Sequence, residues 1–270
     1  MLYYFGRAHA YWFFQYFGID ITLVGLTTQD YVRRSVDALL VPMVVLLSLG
    51  LLVLWVRAVL TARVFAGDDR HERLDTAAKI FALTGLVVFA IGLAGLLVPV
   101  LKRSYHLVYP ISLGTGTLLL MYALSLQRMA RGSRPPAGGL RTAALLEATA
   151  AVLLVALSLF WASTNYAADV GETRAIQYAR ELEDLPRATL YSKEPLNLTA
   201  PSVEEVVCSE SDAGYRFRYE GLRLMLRSGG HYFFLAEGWT YGMGVAIVVP
   251  ERDAVRLDFS RAGVPERQPC

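Results

Sequence analysis

Hydrophobic and polar positions divide this chain into two regimes. Within residues 38–168, four stretches (38–56, 80–101, 107–127 and 148–168) contain no Asp, Glu, Lys or Arg. Each has roughly the 20 residues that a helix needs to cross a hydrocarbon core, so each predicts a membrane span. Trp55, Tyr105, Tyr109, Trp161 and Tyr166 lie near the span ends, where amphipathic rings favour the headgroup boundary. Beyond the last stretch the pattern changes. Ala175, Ile176, Ala179, Leu182 and Leu185 recur at helical spacing, which predicts an amphipathic helix over 171–185 stopped by Pro186.

The period then falls to two. Tyr215, Phe217 and Tyr219 alternate with Arg216 and Arg218, and Leu222, Leu224 and Leu226 with Arg223 and Arg227, the signature of half-buried strands. Gly229-Gly230 predicts a tight hairpin turn, because a two-residue primed turn demands positive φ. Residues 245–249 and 255–259, parted around Pro250 to Asp253, predict a second hairpin. With 188–192 and 203–208, the tail is expected to hold five to seven strands in a small antiparallel sheet or barrel with one helix.

The first 26 residues crowd Tyr3, Tyr4, Phe5, Tyr11, Trp12 and Phe13 ahead of Ile19 and Ile21. They lack the aliphatic core and small-residue cleavage site of a secretory signal. They read as an interfacial helix or as the outer end of a span, and a gene start upstream of Met1 would add a fifth span. Thr27 to Asp30 has the form of a helix start. A helix from about Thr28 is expected to run through Asp37 into the first span.

Charge sets the orientation. Arg57, Arg63, Arg70, Arg73 and Lys79 flank the first connection between spans, and Arg128, Arg131, Arg134 and Arg141 the third. Lys102 and Arg103 in the second, with Arg7, Arg33 and Arg34 ahead of the first span, oppose them. The positive-inside bias therefore puts the first and third loops in the cytoplasm and the tail outside. Residues 169–270 carry 16 acids against 12 bases, which leaves the basic excess on the part that meets lipid. Arg outnumbers Lys by 23 to 3 without a basic patch interleaved with aromatics, so nucleic acid is not an expected partner. The two cysteines, Cys208 and Cys270, make a disulfide scaffold or a cysteine zinc site unworkable, and leave one candidate bridge in an outward tail.

Few positions carry candidate chemistry. Glu147 is the one acid beside a span core. It either pairs with Arg141 near the interface or, with Thr115, forms an intramembrane polar site. Gly85, Gly92, Gly95, Gly114 and Gly116, with Ala150 and Ala151, fit close helix packing better than a phosphate loop, which needs a strand and a following Lys. His9, His106 and His231 lack metal-ligand spacing. Ser192-Lys193 and Glu204-Glu205 are neighbours that a strand points to opposite faces, and Asn197-Leu198-Thr199 is a sequon that matters only in a secretory host. Trp239 and Tyr241, in a glycine-rich loop, either present rings to a partner or fold back as a lid on a small core.

The segments Tyr16-Phe17-Gly18-Ile19-Asp20, Thr28-Gln29-Asp30-Tyr31 and Arg34-Ser35-Val36-Asp37, with Tyr191-Ser192 and Tyr219 to Leu224 in the tail, resemble uncharacterised multi-pass membrane proteins of high-GC bacteria. The resemblance implies no activity. The expected architecture is a membrane α-helical bundle of four spans, or five with an upstream start, plus a small α+β, mainly antiparallel β, extracytoplasmic domain. Its expected divisions are 1–37, 38–168 and 169–270. The expected role is non-enzymatic and free of cofactors: a bacterial cell-membrane protein that presents its tail to a partner protein, the envelope or a ligand. The alternatives are a small transporter or channel component, and an envelope enzyme using His106, Asp37 or Glu237 for proton transfer at the outer interface.

Overall fold

The computed structural model describes residues 1–64, 70–98, 107–130, 139–208 and 214–261. Six α-helices precede the sheet: α1 (Leu2–Tyr16), α2 (Ile21–Val24), α3 (Thr28–Val64), α4 (Arg70–Leu97), α5 (Val108–Ala130) and α6 (Gly139–Arg180). A 3₁₀ turn, Leu182–Asp184, leads into β1 (Arg187–Ser192), β2 (Glu204–Val207), β3 (Phe217–Ser228), β4 (His231–Ala236), β5 (Ala246–Pro250) and β6 (Val255–Ser260). The chain forms two compact units, Met1–Ala38 with Ala167–Cys270, and Leu39–Tyr166. The N-terminal segment, set apart in the sequence reading, thus shares a unit with the tail.

In the unit Leu39–Tyr166 the helices are apolar and mostly exposed, which is compatible with contact with a lipid bilayer. Three helices are long and apolar enough to cross a membrane, and a fourth candidate is the bent pair Thr28–Asp37 and Leu39–Leu52 within α3. Pro42, which removes a backbone donor and crowds the carbonyl of Ala38, lies just past the bend. Helices α4 and α5 approach through glycine. A Cβ at Gly92 would overlap Leu113, one at Gly95 the Tyr109 side chain, and one at Gly116 the backbone of Phe89. These are the small-residue contacts that the sequence predicts, since van der Waals packing rather than water drives association in lipid.

Several hydroxyls on these helices bond to their own backbone. Thr117 and Ser158 donate to the carbonyls of Leu113 and Leu154, one turn back, at 2.8 and 2.7 Å. Glu147 pairs with Arg128 at the end of α5, at 2.6 Å, while the side chain of Arg141, the partner expected from the sequence, lies outside the described residues. Arg128 sits in the last turn of the adjacent helix, a base that spacing along α6 does not reveal.

In the other unit β3 is the organiser. One edge pairs with β1, and the other pairs end to end with β2 over its first residues and β4 over the remainder, all antiparallel. At Gly221, with φ +78°, two residues of β3 oppose one of β1, a bulge that sharpens the strand's twist. Gly229 and Gly230, both at positive φ, close the β3–β4 hairpin. The second expected hairpin does not form. β5 pairs with β4 and β6 with β1, so the two strands occupy opposite ends of the order β5-β4-β3-β1-β6.

Only residues 251–254 join β5 to β6. That link reaches at most about 18 Å, while a flat sheet would part the two strands by about 19 Å, so the sheet must curl. The link is anchored at both ends: the Glu251 N–H donates to the Gly230 carbonyl at 2.8 Å, and the Ala254 carbonyl accepts from Lys193 at 3.1 Å. Inside the curl lie Leu190, Tyr219, Leu222, Phe234 and Ile247. On the other face of β4, Phe233 and Leu235 pack with Phe14, Phe17, Ile21 and Val24 from the N-terminal segment. Period-two alternation thus buries β4 on both faces.

The N-terminal residues join this core because α1 carries an apolar stripe, Phe5, Ala10 and Phe14, at helical spacing. Its other face leaves Tyr4, Tyr11 and Trp12 exposed. At 15 residues, α1 is shorter than a span requires. The amphipathic helix expected over 171–185 is the last three turns of the continuous 42-residue α6, which ends at Arg180. Gly171 does not break it, because the position serves the packing of α1.

Candidate functional site

Three close approaches bring together the elements around an open cavity in the unit that holds the sheet. Gly6 lets α1 meet α3, where any Cβ would overlap the Tyr31 carbonyl oxygen, and Gly171 lets α6 meet α1 at the His9 carbonyl. Gly229, at the β3–β4 turn, packs on Gly25 and Val24 beyond α2. The entry to α3 is fixed by a reciprocal cap. Thr27 donates its N–H to the Asp30 carboxylate at 2.9 Å, and the Asp30 N–H reaches back to the Thr27 hydroxyl at 3.3 Å.

The result is an open cavity of about 570 Å³ between α1, the start of α3, the end of α6 and the tip of β3. His9 and Phe13 come from α1, Asp30, Arg33, Arg34 and Asp37 from α3, Arg174 from α6, and Arg227 and Ser228 from β3. Four guanidinium groups therefore face two carboxylates. Arg174 pairs with Asp37 at 3.1 Å, and Arg227 donates its Nε to Glu251 at 2.9 Å. Arg33 and Arg34 have no ion pair among the described residues. The Arg34 guanidinium lies over the rings of Phe13 and Phe14, 5.5 and 5.3 Å from their centres, which orients it.

His9 is 4% exposed, and neither ring nitrogen has a hydrogen-bond partner. Burial pushes its imidazole down to about 4, with Arg34 and Arg174 pressing the same way and Asp37 opposing them. At neutral pH the ring is uncharged, with one N–H donor and one acceptor.

A second cavity, about 450 Å³, is lined by Arg187, Arg223 and Glu237. Its charges are spent on each other: Arg223, almost fully buried, pairs with Glu237 at 2.8 Å, and Arg187 with the same carboxylate at 3.0 Å. Arg223 also donates to the Leu185 carbonyl, tying the turn after α6 to the sheet. With Glu183 also in the lining, two guanidinium groups meet two carboxylates, so this cavity holds no excess charge.

The residues singled out in the sequence fall mostly elsewhere. Trp239 folds back onto Phe17, ring centres 4.9 Å apart, and is 8% exposed. Tyr241 stays exposed, stacked on Tyr16 at 4.8 Å. Thr115 is exposed on α5, 13 residues and roughly 20 Å of helix from Arg128, the partner of Glu147. The structure therefore does not join Thr115 and Glu147 into one polar site. Asp37 and Glu237 are each held by arginine, and His106 lies outside the described residues. His231 contacts the Gly229 carbonyl through Nδ1 at 2.9 Å, and among the described residues no three His, Cys, Asp or Glu side chains form a metal-binding group.

Cys208, just past β2, is disulfide-bonded, while Cys270 lies outside the described residues. What the sequence reading missed is the cavity itself, whose lining comes from four separated segments. Its one visible trace was Arg33-Arg34, two bases on the side that the positive-inside count assigns to the exterior. Comparison with protein-family models, curated proteins and solved structures finds no match to this chain.

Proposed function

We propose that this is a multi-pass protein of the bacterial cell membrane, with α3, α4, α5 and α6 crossing the bilayer and the β-rich unit outside the cytoplasm, where it receives a ligand or partner in a non-enzymatic accessory or sensor role. The observation that carries the reading is the open, arginine-rich cavity in that unit, with a buried histidine whose polar atoms await a partner. The loop charges support the orientation. So does the disulfide at Cys208, since such bonds persist in oxidising compartments. The exposed Tyr4, Tyr11 and Trp12 of α1 suit a position at the headgroup boundary.

Transport is less well supported. Thr117, Ser125, Thr149, Ser158 and Thr164 bond to carbonyls of their own helices, and Glu147 is spent on Arg128. Proton-transfer catalysis is weaker again, because Asp37 and Glu237 are occupied by guanidinium groups. A C-terminal alkaline phosphatase fusion, active only outside the cytoplasm, tests the orientation. Activity is expected there, with no activity from a fusion in the loop after α5, and the reverse pattern would overturn the reading.

A further inference from the structure

We propose that the cavity between α1, α3, α6 and β3 binds a phosphate group, free or carried by a lipid headgroup. The inference rests on the reading of this unit as the ligand-receiving part and names the chemistry of the ligand. Three observations converge on it.

The first is unspent charge. Asp37 is committed to Arg174, Glu251 to Arg227, and Asp30 to the Thr27 cap. Arg33 and Arg34 face the cavity without an ion pair among the described residues; the charge of Asp30 acts on both from a distance, while its oxygens are bonded to Thr27. Desolvating a guanidinium is costly unless an anion meets it, and a planar fork held against two aromatic rings is oriented for tetrahedral oxygens.

The second is His9, which lines the cavity, is more than nine-tenths buried, and has no partner at either ring nitrogen. Buried polar groups are almost always hydrogen-bonded, so an unpaired imidazole beside unpaired arginines marks the place of an absent acceptor. A phosphate supplies several strong acceptor oxygens in different directions and can meet His9, Arg33 and Arg34 together. The third observation is size. A cavity of about 570 Å³ lies within the range of small-ligand sites, roughly 300 to 1,000 Å³.

The test uses the full chain purified in maltoside micelles, which contain no phosphate, at constant ionic strength set by chloride. Inorganic phosphate is titrated in one arm. In the other, phosphatidylglycerol is doped into the micelles against uncharged diacylglycerol. Binding is read from the thermal midpoint and from the His9 imidazole resonance, assigned by its loss in His9→Gln. Saturable binding in the first arm identifies a free phosphate ligand, and binding in the second alone identifies a headgroup. Either supports the proposal.

Arg34→Gln is expected to weaken that binding about tenfold to a hundredfold, the loss of a charge-assisted hydrogen bond. Arg33→Gln, an exposed change that leaves the packing intact, should also weaken it, and Arg216→Gln, remote from the cavity, should not. No saturation in either arm, or binding unchanged in both Arg33→Gln and Arg34→Gln, would overturn the assignment. Because micelles have no inside, this result is independent of the fusion that tests membrane orientation.

Discussion

Acidification should loosen the β-rich unit through a single side chain, His9. Its imidazole has an ordinary value of 6.5 and is depressed to about 4 in the folded unit, chiefly by burial. The unfolded chain therefore binds a proton over the interval in which the folded chain does not, and stability must fall as pH drops from about 6.5 to about 4. Each unit of separation is worth about 1.36 kcal/mol, so the whole interval amounts to about 3 kcal/mol. That figure is a ceiling, because water entering the open cavity screens part of the effect. The charges that face His9 are Arg33, Arg34, Asp30 and Asp37 on α3, Arg174 on α6 and Arg227 on β3.

Hydrogen exchange at the amides of Phe233 and Leu235, in the core beside α1, measures the opening free energy without unfolding the membrane helices. The native chain should lose stability between pH 6.5 and 4, by no more than about 3 kcal/mol, and His9→Gln should lose markedly less over the same interval. Equal slopes in the two proteins, or a native unit that tightens on acidification, would refute the reasoning.

Other outcomes are narrower. Gly171→Ala sets a methyl against the His9 carbonyl and should lower the thermal midpoint by the equivalent of about 1–3 kcal/mol, with α1 amides losing protection first; unchanged protection would mean that α1 does not need this approach. Tyr219→Phe deprives the Leu196 N–H, 2.7 Å from the phenol oxygen, of its acceptor inside the curled sheet and should cost about 1–2 kcal/mol by the same exchange measurement. Glu147→Gln breaks a pair whose side chains are about half exposed, so a loss of about 0–1 kcal/mol is expected, with ligand binding intact. A solute-flux assay in reconstituted vesicles that found activity dependent on Glu147 would instead favour transport.

The elements that depend on local chemistry were legible in the sequence. The Thr27–Asp30 cap, the Gly229-Gly230 turn, the glycine contacts of α4 and α5 and the six strands each follow from a few adjacent residues. What escaped was set by distant partners. Pro250 to Asp253 has turn composition, but β4 and β1 each offered a free edge, and the short link could cross the open end of the curl instead of closing a hairpin. Gly171 reads as a boundary between two helices because glycine weakens a helix interior, yet its missing side chain is what admits α1. Glu147 found Arg128 because that base, 19 residues away in sequence, lies on the neighbouring helix.

Separation in sequence also explains why the cavity could not be read from a motif. His9 lies 25 residues before Arg34, and Arg174 and Arg227 are far beyond both, so no spacing rule joins them. They meet because α3 begins in, and α6 ends in, the unit that contains the N-terminal residues and the sheet, while α1 fits between them through Gly6 and Gly171. The aromatic N-terminus is therefore better understood as a wall of the site than as an appendage. Phe13 and Phe14 both fill the core and orient Arg34, and the same helix supplies His9. Arginine at this position then has a physical reason that does not depend on the side of the membrane: its charge is shared between aromatic faces and the cavity proposed to admit an anion.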